Sequence, residues 1–153
     1  MRVLVIANTN GCVEQIQKAV NQTKPDTIFH LGNGVNDLGL VKTTAPIYIT
    51  KSNKDHFLKA QLIAKFQIED VMVLCTYGHK EKTQKSIKNL LEKAKKEKAN
   101  LVLFGCGEKT YLQRDEITFV NPGEIKKYDG TCIVVDINKD KFSVEEISLS
   151  AID

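Results

Sequence analysis

The chain has 153 residues, 42% of them hydrophobic and 27% charged, an ordinary globular balance for one domain of about 100–200 residues. A formal net charge of +3 excludes a strongly polyanionic or polycationic protein, and the four cysteines, at 12, 75, 106 and 132, have the spacing neither of a zinc knuckle nor of a redox dithiol. The longest apolar runs, such as 71–75, fall far short of the roughly 20 residues of a membrane helix, so the sequence points to a single domain over 1–153, cytoplasmic and in a reducing compartment.

A continuous apolar run over 2–7 predicts a first strand covered on both faces. After the turn Asn8-Thr9-Asn10-Gly11, a helix places Val13, Ile16, Ala19 and Val20 on one face and is broken by Lys24-Pro25-Asp26. Residues 27–31 form a second strand, ending in Gly32-Asn33-Gly34, and 47–49 a short third one. Residues 62–68 and 71–76 read as two strands joined by the tight turn Glu69-Asp70. The stripe Ile87, Leu90, Leu91 and Ala94 predicts a helix over 83–99. Strands at 101–104, 117–120, 131–136 and 142–149 complete the chain, with Asn121-Pro122-Gly123 between the second and third of these. The order of elements is that of an α/β protein: β-α-β units first, a hairpin in the middle and antiparallel strands at the end.

Buried strands repeatedly end in a loop with a small residue and a polar side chain, at 8–11, 32–33, 52–55, 77–79 and 105–108. Sites in open α/β sheets gather at the carboxyl ends of strands, so these five loops are expected to converge. In this order and spacing they resemble the calcineurin-like metallophosphoesterases, and most of all the small YfcE-type phosphodiesterases, over nearly the whole chain. That family reads Asp-x-His-Gly after the first strand, Gly-Asp-x-x-Asp after the second, Gly-Asn-Cys/His-Asp after the third, His-Gly-His after the hairpin, then Gly-His-x-His and Asn-Pro-Gly-Ser. Gly11, Gly32, Asn53, Asp55, Gly78, His79, Gly105 and Asn121-Pro122-Gly123 stand where this pattern puts them. The resemblance implies an α/β fold, a β-sandwich flanked by helices, with a two-metal phosphoesterase site among the loops.

The framework matches and the ligands do not. The family's first Asp is Asn8 and its partner His is Asn10; the Asp that bridges both metals is Asn33. The hairpin His is Tyr77, and the histidines of Gly-His-x-His are Cys106 and Glu108, so that of seven metal-contacting positions only Asn53 keeps the family residue. The later acid of the second loop falls on Asn36, with Asp37 beside it. Two divalent ions about 3.5–4 Å apart need ligands that offset their charge. A neutral amide can coordinate but cancels nothing, and without the bridging carboxylate two dications face each other unshielded. No cofactor is therefore expected; if a metal binds, it is one weakly held divalent cation (Mn, Mg or Ca) at Glu108.

The remaining residues give softer signals. Cys106 and Cys12 are either a soft-metal or redox pair or two unrelated small residues. His79 is a remnant of the family's His-Gly-His, His30 is a structural histidine inside a strand, His56 carries no signal, and Asp55 is expected to orient a loop. Lys51, Lys54, Lys80 and Lys109 flank the site loops as phosphate ligands or as solvated rim residues. These observations point to a catalytically degenerate phosphoesterase-fold protein that binds a protein partner or a phosphate-bearing ligand through a cleft of Asn8, Asn10, Asn33, Asn53, Tyr77, His79, Cys106 and Glu108. Within the resemblance class, the phosphoesterase-fold subunit of retromer works as such a scaffold. Two alternatives stay open: a residual metal-dependent phosphodiesterase or phosphatase with one ion at Glu108, and a phosphate or nucleic-acid binder using the lysine-rich stretch 80–98, which has no interleaved aromatic residue. The resemblance is also compatible with a homo-oligomer.

Overall fold

In a computed structural model, which describes residues 1–56 and 59–149, β1 (Arg2–Ile6) is buried at every position after Arg2. Val3 and Val5 join one core cluster, Leu4 and Ile6 another, so the continuous apolar run reflects burial of both faces. The same division recurs in β6 (Leu101–Phe104), where Leu101 and Leu103 face one cluster and Val102 and Phe104 a third.

Two five-stranded sheets share the first cluster. The first sheet joins β1 in parallel to β2 (Thr27–His30) and β2 to β3 (Ile47–Ile49). On its other side β1 pairs antiparallel with β9 (Thr131–Asn138), which carries the edge strand β10 (Lys141–Ser148). The second sheet runs β4 (Ile63–Ile68), β5 (Val71–Thr76), β6, β8 (Ile117–Asn121) and β7 (Thr110–Arg114). Its central strands β5, β6 and β8 are parallel, so their carboxyl ends lie at one edge. Helix α1 (Val13–Thr23) buries Ile16, Ala19 and Val20 on the outer face of the first sheet, and α2 (Lys88–Lys96) buries Leu90 and Ala94 on the outer face of the second. This is the expected α/β architecture of a β-sandwich flanked by helices.

The loops at the shared edge are fastened by backbone and carboxylate contacts. Asn8 N–H donates to Gly32 O at 3.0 Å and Thr9 N–H to Asn33 O at 3.1 Å. The Asp55 carboxylate accepts from the backbone N–H groups of Asn33 (2.7 Å), Gly34 (3.0 Å) and Ser52 (2.8 Å), and from the Ser52 hydroxyl at 3.0 Å. Asp55 thus orients its loop, as expected from the sequence. Burial alone raises its carboxyl pKa, but these donors outweigh that effect and hold it below its ordinary 3.8. Beneath them His30 is fully buried; its Nδ1 accepts Gly32 N–H at 3.0 Å, so its proton sits on Nε2 and points to the Thr9 hydroxyl at 3.1 Å. Thr9 in turn donates to Asp37 at 2.6 Å, and Gly11 N–H reaches the same carboxylate at 2.9 Å. Asp37, not Asn36, therefore ties the second loop to the first.

Three elements differ from the expectation, the first being a short 3-10 helix over Val35–Leu40 where only a loop was expected. The helix predicted over 83–99 is confined to Lys88–Lys96. The Thr83 hydroxyl lies 3.2 Å from Gly78 O and 3.1 Å from Cys106 O, which pins the preceding segment to the sheet edge as turns. β7 has no counterpart in the sequence reading: it is an edge strand in which Leu112 packs against the third cluster while Tyr111 is exposed, so its apolar pattern is too short to register.

Two predictions follow from the buried titrating groups. Asp55 is stabilising when ionised: its contribution is complete above its unfolded value and is lost as pH falls through the lower folded value. Because it is half-buried, Asp55→Ala is expected to cost about 1–3 kcal/mol in urea unfolding at neutral pH, and less in acid once the folded carboxylate is protonated. Burial pushes His30 down from 6.5 to about 4, so the unfolded chain takes up a proton in that window and the folded one does not. Stability should fall by about 3 kcal/mol between these pH values, and His30→Gln should flatten that slope.

Candidate functional site

Asn8, Asn10 and Asn33 occupy left-handed backbone positions, with φ of 50°, 52° and 64°. Asparagine tolerates this region better than other non-glycine residues, because its short side chain bonds locally. The turn geometry therefore aims three amides at one space. Asn8 Oδ1 accepts from Asn33 Nδ2 at 2.9 Å and from the Tyr77 hydroxyl at 2.8 Å, while Asn8 Nδ2 donates to Gly105 O at 2.8 Å. Asn10 Nδ2 donates to Asn8 O and Ile125 O, both at 3.0 Å.

Tyr77 is the centre of this arrangement. Its ring is seated so closely against Gly32 and Gly105 that a Cβ on either would come within 2.9 Å and 3.0 Å of Tyr77 Cδ1. At Gly32 the backbone φ of 124° excludes other residues as well. Burial pushes the phenol up to about 12, so the group is a neutral donor at physiological pH. Cys106 lies behind it: its N–H donates to Tyr77 O at 2.6 Å, and its side chain is buried.

The loops open onto a cleft of about 980 Å³. Asn8, Asn10, Asn33, Tyr77 and Glu108 line it; Asn53, His79 and Cys106, also expected there, do not. Asn53 is exposed on the loop held by Asp55, and His79 is half-buried with its Nδ1 enclosed and unpartnered. The wall also contains Thr83, Gln84, Glu124, Lys126 and Asp129, which the sequence reading did not single out. Only Asn121-Pro122-Gly123 marked that side in the sequence; buried Asn121 donates to Cys106 O at 3.2 Å and accepts Gly123 N–H at 3.0 Å, turning the chain toward Glu124.

Charge in the cleft is mixed. Lys54, Lys109 and Lys126 face Glu108, Glu124 and Asp129. Lys109 is paired with Glu146 at 2.8 Å and Lys126 with Glu124 at 3.0 Å. Of the rim lysines named from sequence, Lys54 and Lys109 line the cleft, whereas Lys51 and Lys80 do not.

The donor set does not fit a two-ion centre. Both lone pairs of Asn8 Oδ1 accept hydrogen bonds, Asn33 turns its NH₂ group inward, and Tyr77 presents a protonated phenol. Glu108 is the one carboxylate at the positions that the family pattern assigns to metal. Among the described residues no three His, Cys, Asp or Glu side chains gather as ligands. All four cysteines are free. Cys12 directs its thiol to Asn10 O at 3.6 Å beside α1, while Cys106 sits behind Tyr77. Burial pushes both thiols up, which leaves no activated thiolate.

Comparison with known proteins agrees with this architecture. Residues 1–140 match the family model of the calcineurin-like phosphoesterase superfamily domain. A probable metallophosphoesterase of Mycoplasma genitalium is 23% identical over 130 residues, covering 82% of this chain and 78% of that protein. Among solved structures, a predicted phosphoesterase of Streptococcus pneumoniae superposes with a TM-score of 0.80 at 19% identity, over 97% of this chain and 89% of the other. A single mutant of Vps29 from Entamoeba histolytica gives 0.78 at 15% identity, over 97% and 99%. Its wild-type form, solved in complex with zinc, gives 0.76 at 14%, again over 97% and 99%. The sandwich, the loop order and the family match agree, and the chain belongs to the calcineurin-like phosphoesterase superfamily.

Proposed function

We propose that this protein is a degenerate member of its superfamily, acting by binding and not by two-metal hydrolysis. The observation that carries this reading is the closed set of hydrogen bonds around Asn8. Asn33 and Tyr77 satisfy both lone pairs of its side-chain oxygen, so groups at three ligand positions hold one another. Binding a metal pair there would break those bonds, and none of the three groups would supply an anion to balance the charge. Without a metal-bound hydroxide the fold's usual nucleophile is lost, and the neutral phenol and buried thiols do not replace it.

The cleft suits a polar occupant. Its size is in the range of small-molecule sites, and its walls are mostly amide, hydroxyl and charged side chains. Lys54 lines it outside any ion pair among the described residues and would meet a phosphate group or an acidic side chain. A phosphate-bearing ligand or a polar segment of a partner protein is the occupant this supports, in keeping with the scaffold precedent for the fold. The free cysteines support a cytoplasmic, reducing location. A second reading rests on Glu108, whose carboxylate lines the cleft outside any ion pair among the described residues. A single hard cation held there would support slow phosphodiester cleavage.

Chelator-stripped protein titrated calorimetrically with Mn²⁺, Zn²⁺ and Mg²⁺, while hydrolysis of a chromogenic phosphodiester is followed, separates the readings. The expected result is neither tight two-ion binding nor metal-dependent turnover. Two tightly bound ions with turnover would overturn the proposal, and turnover with one ion, abolished by Glu108→Ala, would establish the one-metal hydrolase instead. The hydrogen-bond set is tested separately: Tyr77→Phe leaves Asn8 Oδ1 one donor short and should cost about 0.5–1.5 kcal/mol in urea unfolding.

A further inference from the structure

The positive charge of this protein is concentrated in one stretch of the chain. Between Lys80 and Lys98 there are eight lysines against three glutamates, whereas the rest of the chain holds 14 lysines and arginines against 16 acids. Folding sharpens the imbalance. Glu81 turns inward and is buried, its Oε1 accepting the Thr76 hydroxyl at 3.0 Å. Glu97 is held from β4 by Lys65, at 3.0 Å. Of the three interleaved acids only Glu92 stays exposed without a partner among the described residues. All eight lysines are exposed, and among the described residues only Lys95 is ion-paired, to Asp115 at 2.8 Å. Two of the three interleaved acids are thus engaged by groups outside the stretch, Glu81 by Thr76 and Glu97 by Lys65.

The chemistry of this surface narrows what it can hold. None of the exposed large hydrophobic side chains lies between 80 and 98; Leu90 and Ala94 are buried, and Ile87 and Leu91 pack against the core. The face has no aromatic or arginine anchor of the kind that dominates protein interfaces. It has no apolar wedge for a bilayer and no ring on which an unpaired base could stack. Each cation is a lysine, a point charge without the bidentate fork of arginine, which suits contacts that ignore base identity. A regular array of phosphates meets such a surface by charge alone, through release of its condensed counterions.

We propose that the lysine face of α2 and of the turns before it binds the phosphate backbone of duplex nucleic acid without reading its sequence. The face begins at the cleft lip, where Thr83 and Gln84 line the opening, but its charge does not depend on what the cleft holds.

Fluorescence anisotropy with two unrelated duplexes of about 20 base pairs, from about 50 to about 200 mM salt, tests this. Expected are equal affinities for the two sequences and a steep linear loss of log affinity with log salt. The triple variant Lys88→Glu, Lys93→Glu, Lys96→Glu should bind at least about tenfold more weakly, with a slope smaller by about 2–3. The corresponding glutamine triple, which removes charge without reversing it, should fall between. Thermal melting equal to the parent chain would show that both variants fold. Absence of salt-dependent binding at the lowest salt, or unchanged binding by folded variants, would overturn the proposal. Polyglutamate, or vesicles rich in phosphatidylserine, bound as tightly as the duplex would also overturn it, by assigning the face to an acidic protein segment or a membrane surface.

Discussion

The Asp55 carboxylate accepts the amide hydrogens of Asn33, Gly34 and Ser52, and the geometry of the cleft follows from that contact. It fixes the loop after β2 against the loop after β3, and so fixes the left-handed turn at Asn33. That turn directs the Asn33 amide onto Asn8, whose own left-handed turn is held by Gly32 O from the same loop. The His30–Thr9–Asp37 chain secures the two loops from beneath, with His30 and Thr9 closed to solvent. The scaffold that would position metal ligands is therefore intact and rigidly satisfied. What departs from the family pattern is the side chains it presents: Asn8 and Asn33 stand where the pattern has carboxylates, and Glu108 stands where it has a histidine.

Scaffold and chemistry are thus separable in this fold. The parallel strands β1, β2, β3, β5, β6 and β8 deliver their carboxyl ends to one edge whatever the loops carry, since their direction is set by the sheets. The loops then need residues that tolerate tight turns, and asparagine meets that need as well as aspartate does. A change from carboxylate to amide thus costs the fold little and alters the electrostatics of the cleft completely. Tyr77 completes the change: its ring packs against two glycines and its hydroxyl supplies a hydrogen bond to Asn8.

Much of the fold was legible in the sequence, because strands buried on both faces read as unbroken apolar runs. β1 and β6 are of this kind, and their residues do divide between the inner core and the helix-covered outer layers. The start of α2 was not legible, because the Thr83 contacts that keep the preceding segment in turns reach Cys106, 23 residues further along. β7 was not legible because an edge strand with one inward apolar residue has no period to detect. Within the site, the family pattern located the loops, but it did not distinguish Asn8 and Asn33, which face the cleft, from Cys106, which lies behind Tyr77.

The sequence by itself determined the class of fold, the order of the loops and the amides that stand where the family pattern has carboxylates, because apolar periodicity and residue identity are local properties of the chain. Tertiary structure alone decided how the substituted groups are used. The Tyr77–Asn8 bond joins residues 69 apart, and the Lys109–Glu146 pair, which commits a cleft lysine, joins residues 37 apart. The inward turn of Glu81 and the capture of Glu97 by Lys65 leave the lysine surface unbalanced, although the sequence places acids beside its lysines. Hydrogen bonds and ion pairs depend on atoms within about 3 Å of one another, and only the folded chain brings these together.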